Sequence, residues 1–469
     1  MSSKRLHTVR ILTCAICLLT ACMRIEAQKA DLWKFRVRFT DKAATEFSIH
    51  EPERFLSAKS LERRDRQSIE VDSTDLPVCR LYIEQLKACA HMEVLALGKW
   101  ENFATVACQD SSAATRMAQL PFVKDVTCVW KGSANYGQSK TASRLTMKEE
   151  SGNRHNTDAG HYGKADTQID LCNGKRLHDE GFRGKGIAIA VIDAGFHNAD
   201  SCGLTANMLG CCDVVRPASE NIFAEHEHGT NVLSCMATNR PNEMVGTAPE
   251  AGYWLLRSED LYSEQPIEQD FWAAALEYAD SVGVDIVNTS LGYVVYDNNL
   301  VTLSYTDLDG ASQLISRQAS RAAAKGIVVV CSAGNEGDTS WKKICIPADA
   351  EHVLTVGAVD EQRKLGAFSS VGNTDDGRIK PDVVAMGVWT AMIDGDGEVT
   401  RKSGTSFAAP VLCGLTACLW QALPQYTALQ LIELIRMSAD RANHPDNIYG
   451  YGLPDFWKAY QMGISCKMQ

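Results

Sequence analysis

Five short runs of almost uninterrupted apolar residues punctuate the second half of the chain: GIAIAVID (186–193), YWLLR (253–257), VDIVNTSLG (284–292), GIVVVCSAGNEG (326–337) and VLTVGAV (353–359). A strand with one wet face alternates apolar and polar residues, whereas a strand apolar at nearly every position must be covered on both faces. Helical patterns at His228–Thr238, Gln269–Ser281 and Ser312–Lys325 lie between the runs and would supply that cover. Strand and helix in alternation predict an α/β architecture, a mostly parallel, doubly wound sheet flanked by helices. Such sheets collect ligands and chemistry at the carboxyl ends of their strands. The polar residues that close each apolar run are therefore the candidates for function.

The chain of 469 residues exceeds one ordinary domain, and a prior of roughly 150 residues per domain suggests two or three units. With 45% hydrophobic and 7% aromatic residues it can build a sizeable core. A net charge of −11 argues against nucleic acid or an anionic membrane surface as the main partner. At the N-terminus, Lys4, Arg5 and Arg10 precede the short apolar stretch ILTCAICLLTAC, so residues 1–27 read as a secretory signal. Its end admits two readings: cleavage after Ala27, which we prefer, or a lipoprotein box that leaves a lipidated Cys22. Either way the protein is expected to be exported, to the periplasm, the cell surface or the medium, with no later membrane span. The 17 cysteines fit no small disulfide scaffold and no paired C-x-x-C zinc site, and Cys235, Cys413 and Cys418 sit on helical patterns as small core residues.

Residues 30–130 have their own pattern. WKFRVRF alternates as a strand, FLSAKSLERRDRQS is an amphipathic basic helix, and LYIEQLKAC, VLALGKW, FATVAC, a helix near Ala113–Leu120 and the strand VKDVTCVW follow. This predicts a small α+β unit with helices on one face of a sheet. From 131 to 167 the chain is polar and reads as an exposed linker, open to proteolysis. The second unit is expected over 168–465.

Within KSGTSFAAPVLCGLTACLW (402–420), Ser406 opens an apolar run long enough for a buried helix. Pro410 is expected within the first turn, where its missing N–H costs nothing. Alone, Ser406 reads as an N-cap, Asp193 and Asn335 as turn residues, and His228 as a cap or surface residue. Together they form a recurrent set: a nucleophile, a base, a carboxylate to orient the base, and an amide donor for an oxyanion.

VIDAGF, HGTNV, NTSLG, SAGNEG and GTSFAAP, in that order, resemble the signature blocks of the subtilisin-like serine proteases, from near Thr167 to near Tyr460. The resemblance implies a subtilisin-like fold and an exported serine endopeptidase that works through an acyl-enzyme. Ser406 would be the nucleophile, His228 the general base and Asp193 its orienting partner. Asn335 and the Ser406 N–H would hold the oxyanion. Ser290, Leu291 and Gly292 would pair with an extended polypeptide substrate, and Ala333 and Gly334 would wall the primary specificity pocket. Cys345 falls near that pocket's floor and Cys331 near its wall, as a disulfide or as two free thiols.

Two positions depart from the family pattern: Asn231 replaces a common second histidine, and Ala194 follows Asp193 where serine or threonine is common. The first unit resembles, less specifically, the family's propeptide, a small ferredoxin-like α+β domain that assists folding and blocks the active site until the chain is cut. FLSAKSLERRDRQSIEVDSTDLPV is similar to a block in exported Bacteroidetes subtilases. The implied partners are a polypeptide substrate and the chain's own prodomain, and a monomer is expected. No cofactor or metal ligand is assigned: the acidic stretches at 373–377 and 394–398 read as solvated turns, with structural calcium left open. A second reading, from another class, is a catalytically silent peptide-binding protein on the same fold, with its prodomain permanently docked. An α/β-hydrolase is excluded by residue order and by the absence of a G-x-S-x-G elbow.

Overall fold

The computed structural model describes residues 31–133 and 160–465, apart from residues 90, 220, 298 and 299. The signal segment with Cys22, and residues 134–159 of the expected linker, lie outside the described residues.

Strand β1 (Asp31–Phe39) shows what its alternation is for. Phe35, Val37 and Phe39 are buried on one face, and Lys34, Arg36 and Arg38 occupy the other. Helices α1 (Ala58–Arg66) and α2 (Arg80–Cys89), strands β2 (Glu93–Gly98) and β3 (Phe103–Cys108), helix α3 (Ala113–Ala118) and strand β4 (Val123–Ser133) complete the unit. Its antiparallel sheet has the order β2-β3-β1-β4, with Phe35 opposite Val106 on one side and Cys128 on the other. Tyr82 and Leu86 of α2 and Met117 of α3 close over the apolar face, giving the expected ferredoxin-like arrangement. Helix α1 stands apart from this core. Ser57 caps it, its Oγ accepting the Ser60 N–H, and its buried residues are Ser60, Arg63 and Arg64.

Of the polar stretch 131–167, residues 131–133 belong to β4, and residues 160–167 pack on the second unit with Tyr162 and Ala165 buried. The second unit holds seven parallel strands: β5 (Ala188–Asp193), β6 (Met208–Asp213), β7 (Gly252–Arg257), β8 (Ile286–Thr289), β9 (Val328–Ser332), β10 (Leu354–Val359) and β11 (Val383–Met386). Five are the apolar runs read from the sequence. Edge strand β6 escaped that reading because it contributes mostly half-buried or exposed residues. Helices α4 (His228–Ala237) and α7 (Thr405–Ala422) cover one face of the sheet, and α5 (Ile267–Val282) and α6 (Leu314–Ala324) the other. Strand β5 serves both: Ile189 and Val191 join the α4/α7 core, while Ala188, Ala190 and Ile192 join the α5/α6 core.

The strand order is β11-β10-β9-β8-β5-β7-β6. From the β5/β8 pair the chain winds outward in both directions, so the loops leaving these two strands diverge. A crevice opens at their carboxyl ends. Asp193 ends β5, and Ser290 follows β8 in the neighbouring register, Thr289 pairing with Ile192.

Helix α7 begins at Thr405, which places Pro410 beyond the first turn and corrects the expectation for it. Lacking an N–H, Pro410 leaves the Ser406 carbonyl without its i+4 donor. The Ser290 hydroxyl donates to that carbonyl instead, at 2.8 Å. By length and apolarity α7 could cross a membrane, yet it lies buried through the centre of the protein. Cys235, Cys413 and Cys418 are fully buried free thiols. Cys331 and Cys345 are free thiols too, so the structure contains no disulfide between them.

Candidate active site

Asp193 is fully buried, and its Oδ1 accepts both the Ala194 N–H (2.8 Å) and Nδ1 of His228 (2.7 Å). With Nδ1 committed to a carboxylate, His228 presents Nε2 as its remaining ring nitrogen. His228 is the first residue of α4 and is buried. Two glycines permit this approach: Gly229 donates its N–H to the Gly195 carbonyl at 2.9 Å, and a Cβ at Gly229 would run into that same carbonyl. The second carboxylate oxygen of Asp193 is buried and has no hydrogen-bond partner among the described residues. Ala194, unlike serine or threonine, has no hydroxyl to offer it.

Ser406 stands in the first turn of α7, where unpaired N–H groups and the positive end of the helix dipole favour negative charge. It is not the cap. Gly404 holds the N-cap position, and the Thr405 N–H is taken by Oδ1 of Asn335 at 2.9 Å. The Thr405 hydroxyl also donates to that oxygen (3.0 Å), and the Gly334 N–H donates to the hydroxyl (3.2 Å). The carboxamide of Asn335 is thus held oxygen-inward, with its NH₂ on the opposite side. Sequence reasoning missed Thr405 in this role, although it stands inside the GTS block.

The Ser406 hydroxyl donates to the Ser290 carbonyl at 3.2 Å, and among the described residues no hydrogen bond joins it to His228. The two are near neighbours all the same: the ring of Phe407, the next residue, lies 6.0 Å from the His228 ring, centroid to centroid. Asp193, His228, Ser290, Asn335 and Ser406 therefore gather at the β5/β8 crevice, drawn from four separate elements and loops.

Ser290 and Leu291 are buried, whereas Gly292 is exposed and its backbone makes no hydrogen bond with a described residue. Ala333 is buried and Gly334 has a φ of +110°, open to glycine but not to ordinary residues. Cys345 lies between these two walls. A Cβ at Gly334 would overlap its sulfur, and a Cβ at Gly292 would lie 2.8 Å from its Cβ. Glu259 closes the rear of the crevice, accepting hydrogen bonds from Tyr293 (2.5 Å) and Ser258 (3.0 Å). Burial, with Glu264 nearby, pushes its carboxyl up to about 8. Asn231 faces elsewhere, donating to the Ile393 carbonyl and accepting from Lys402. Asp394 accepts the N–H groups of Asp396 and Glu398 in a hairpin turn.

The profile of the Subtilase family (peptidase S8) matches residues 184–452, and that of the Bacteroidota peptidase S8 propeptide domain matches residues 34–146. Subtilisin NAT of Bacillus subtilis subsp. natto is 29% identical over 288 residues, 61% of this chain and 68% of that protein. Subtilisin DY of Bacillus licheniformis is 27% identical over 288 residues, covering 61% and 94%. Serine protease AprX of Bacillus subtilis (strain 168) is 28% identical over 323 residues, covering 61% and 69%. The parallel sheet, the ordered motif blocks and a profile match across more than half the chain lead to one assignment: this protein belongs to the subtilase family of serine peptidases, hydrolases of peptide bonds, and bears a Bacteroidota-type propeptide domain.

Proposed function

We propose that the chain is an exported serine endopeptidase made as a zymogen, with residues 1–27 as signal, 30–130 as propeptide, 131–167 as the connection cut on maturation, and 168–465 as peptidase. The observation that carries the reading is the buried 2.7 Å bond between Asp193 and Nδ1 of His228, beside a serine whose hydroxyl is not spent on capping its helix.

A serine hydroxyl is a weak nucleophile at neutral pH. Rotation about its Cα–Cβ bond turns the Ser406 hydroxyl from the Ser290 carbonyl toward Nε2 of His228, a contact that tightens in the substrate complex. His228 takes the proton as Ser406 attacks the scissile carbonyl, and then passes it to the leaving amine. Asp193 keeps the tautomer and stabilises the imidazolium without being protonated itself. The oxyanion forms between the Ser406 N–H and the Asn335 NH₂, both fixed before reaction and so requiring no reorganisation. Substrate backbone pairs along Ser290–Gly292, and its side chain enters between Gly292 and Ala333–Gly334 above Cys345, which makes the pocket shallow.

Labelling by a fluorophosphonate tests the reading, since only an activated serine is phosphonylated. Wild-type protein is expected to be labelled at Ser406 and to hydrolyse peptides. Ser406→Ala should lose both, together with the cut between 131 and 167. Hydrolysis that survives Ser406→Ala rejects the assignment.

A further inference from the structure

Residues 57–75, helix α1 and the segment after it, add nothing to the apolar core of the first unit, yet they carry two fully buried arginines. Arg63 donates to the Val284 carbonyl (2.6 Å), the Lys325 carbonyl (3.3 Å) and Asp280 (2.6 Å). Arg64 donates to Asp280 (2.8 Å) and Asp75 (3.1 Å), and Lys99 donates to the second oxygen of Asp280 (2.9 Å). Arg66 reaches Asp285 at 3.2 Å, and Lys59 reaches the Gly186 carbonyl at 3.1 Å. In the reverse direction, Lys325 of the peptidase pairs with Asp72 and Asp75, both at 2.9 Å.

The receiving surface is shaped for this segment. Gly283 and Gly326 both have positive φ. A Cβ at Gly283 would lie 2.6 Å from the Ser60 nitrogen, and one at Gly326 would lie 2.6 Å from Nε2 of Gln67. Gln67 fills that second gap, donating to the Gly326 carbonyl and accepting the Ala428 N–H.

All these contacts fall at one pole. Gly186 precedes β5, Val284 and Asp285 precede β8, and Lys325 and Gly326 precede β9. In a parallel sheet this is the amino-terminal edge, one strand length, about 13–20 Å, from the carboxyl ends that carry Asp193 and Ser290. The end of β4 lies at the other pole. Trp130 donates to Ser263 and the Lys131 N–H to Gln265, both at 2.9 Å, on the loop whose Ser258 N–H bonds the Asp193 carbonyl. Holding and covering are thus assigned to opposite ends of the sheet.

We propose that residues 57–75 are an anchor that keeps the propeptide domain attached after its connection is cut, so that the working enzyme is a two-chain complex. The proposal rests on the maturation cut between 131 and 167. The end of β4 can leave the crevice while the anchor stays seated, because parting Arg63 and Arg64 from Asp280 would separate desolvated charges that already satisfy one another.

The test uses Ser406→Ala protein carrying a recognition sequence for an added site-specific protease between 134 and 159, so the cut needs none of the chain's own activity. Failure of the catalytic reading therefore leaves this result untouched. After cutting, the two fragments are expected to co-elute on size exclusion at submicromolar concentration. Arg63→Ala with Arg64→Ala should raise their Kd by about 10²-fold or more. Fragments that separate without the anchor substitutions overturn the proposal, as does a double variant that holds as tightly. Where the uncut double variant fails to fold, Lys59→Ala with Gln67→Ala, which removes only contacts at the rim, should weaken the complex about tenfold. An unchanged Kd there overturns the proposal equally.

Discussion

Asn335 does two jobs with one carboxamide, because its oxygen caps α7 through the Thr405 N–H while its nitrogen is turned away from the helix. The two jobs separate by substitution. Asn335→Ala should reduce turnover by about 10²–10³, the cost measured for losing such a donor in subtilisin itself, and should also lower stability by about 1 kcal/mol through the lost cap. Asn335→Asp keeps an acceptor for Thr405, so its thermal unfolding should stay near wild type while turnover falls. Peptide hydrolysis and calorimetry on the pair check both statements. Cys345 is the second informative residue, since its side chain fills the gap between Gly292 and Gly334. Cys345→Gly should shift kcat/KM toward large residues before the scissile bond by about 10-fold or more, the scale of one methylene in an apolar pocket. A profile across Ala, Leu and Phe substrates reads the change, and an unaltered preference would place the pocket elsewhere.

At the scale of elements, α5 is the surface on which the two units meet. Asp270, Glu277 and Asp280 recur at seven and three residues along it, so they share one helix face. The basic face of β1 sends Arg36 to Asp270, while Glu277 accepts the Trp100 N–H at 3.0 Å. Burial pushes the Glu277 carboxyl up to about 7. Gly283 ends this helix at φ +86°, its conformation and its contact with α1 both requiring the absence of a side chain. Gly283→Ala should therefore cost about 1 kcal/mol from the left-handed backbone alone. Displacement of Ser60 would add to that, seen as a lower Tm of the uncut protein. The sequence announced α5 by its periodicity and α1 by its basic amphipathic pattern. It did not announce that the charges of one helix answer those of the other, because complementarity across some 220 residues of chain leaves no periodic trace.

For the whole molecule, acid stability turns on a buried histidine that sequence reading passed over. His178 takes a hydrogen bond from Tyr162 at 3.2 Å and gives one to the Thr247 carbonyl at 2.9 Å, and burial lowers its pKa to about 4. A group that stays neutral when folded and titrates near 6.5 when unfolded contributes stability that is fully present above about pH 6.5. That contribution is lost as the pH falls toward 4. The loss should reach about 2–3 kcal/mol by pH 4.5. His178→Gln should flatten that part of the pH dependence, measured by denaturant unfolding at pH 7.5 and pH 4.5.

Apolar runs and helical spacings were enough to determine the parallel sheet, its covering helices and the small α+β unit ahead of it, because burial on both faces or on one face writes itself into local residue order. The motif blocks likewise marked Asp193, His228, Asn335 and Ser406 before any coordinates. Where those groups point was decided only by the tertiary structure: the Asn335 oxygen turned to Thr405, the Ser290 hydroxyl standing in for the N–H that Pro410 lacks, and Cys345 seated between two glycines. Each depends on chain segments far apart in sequence meeting at a set distance, and local patterns of hydrophobicity carry no information about such distances.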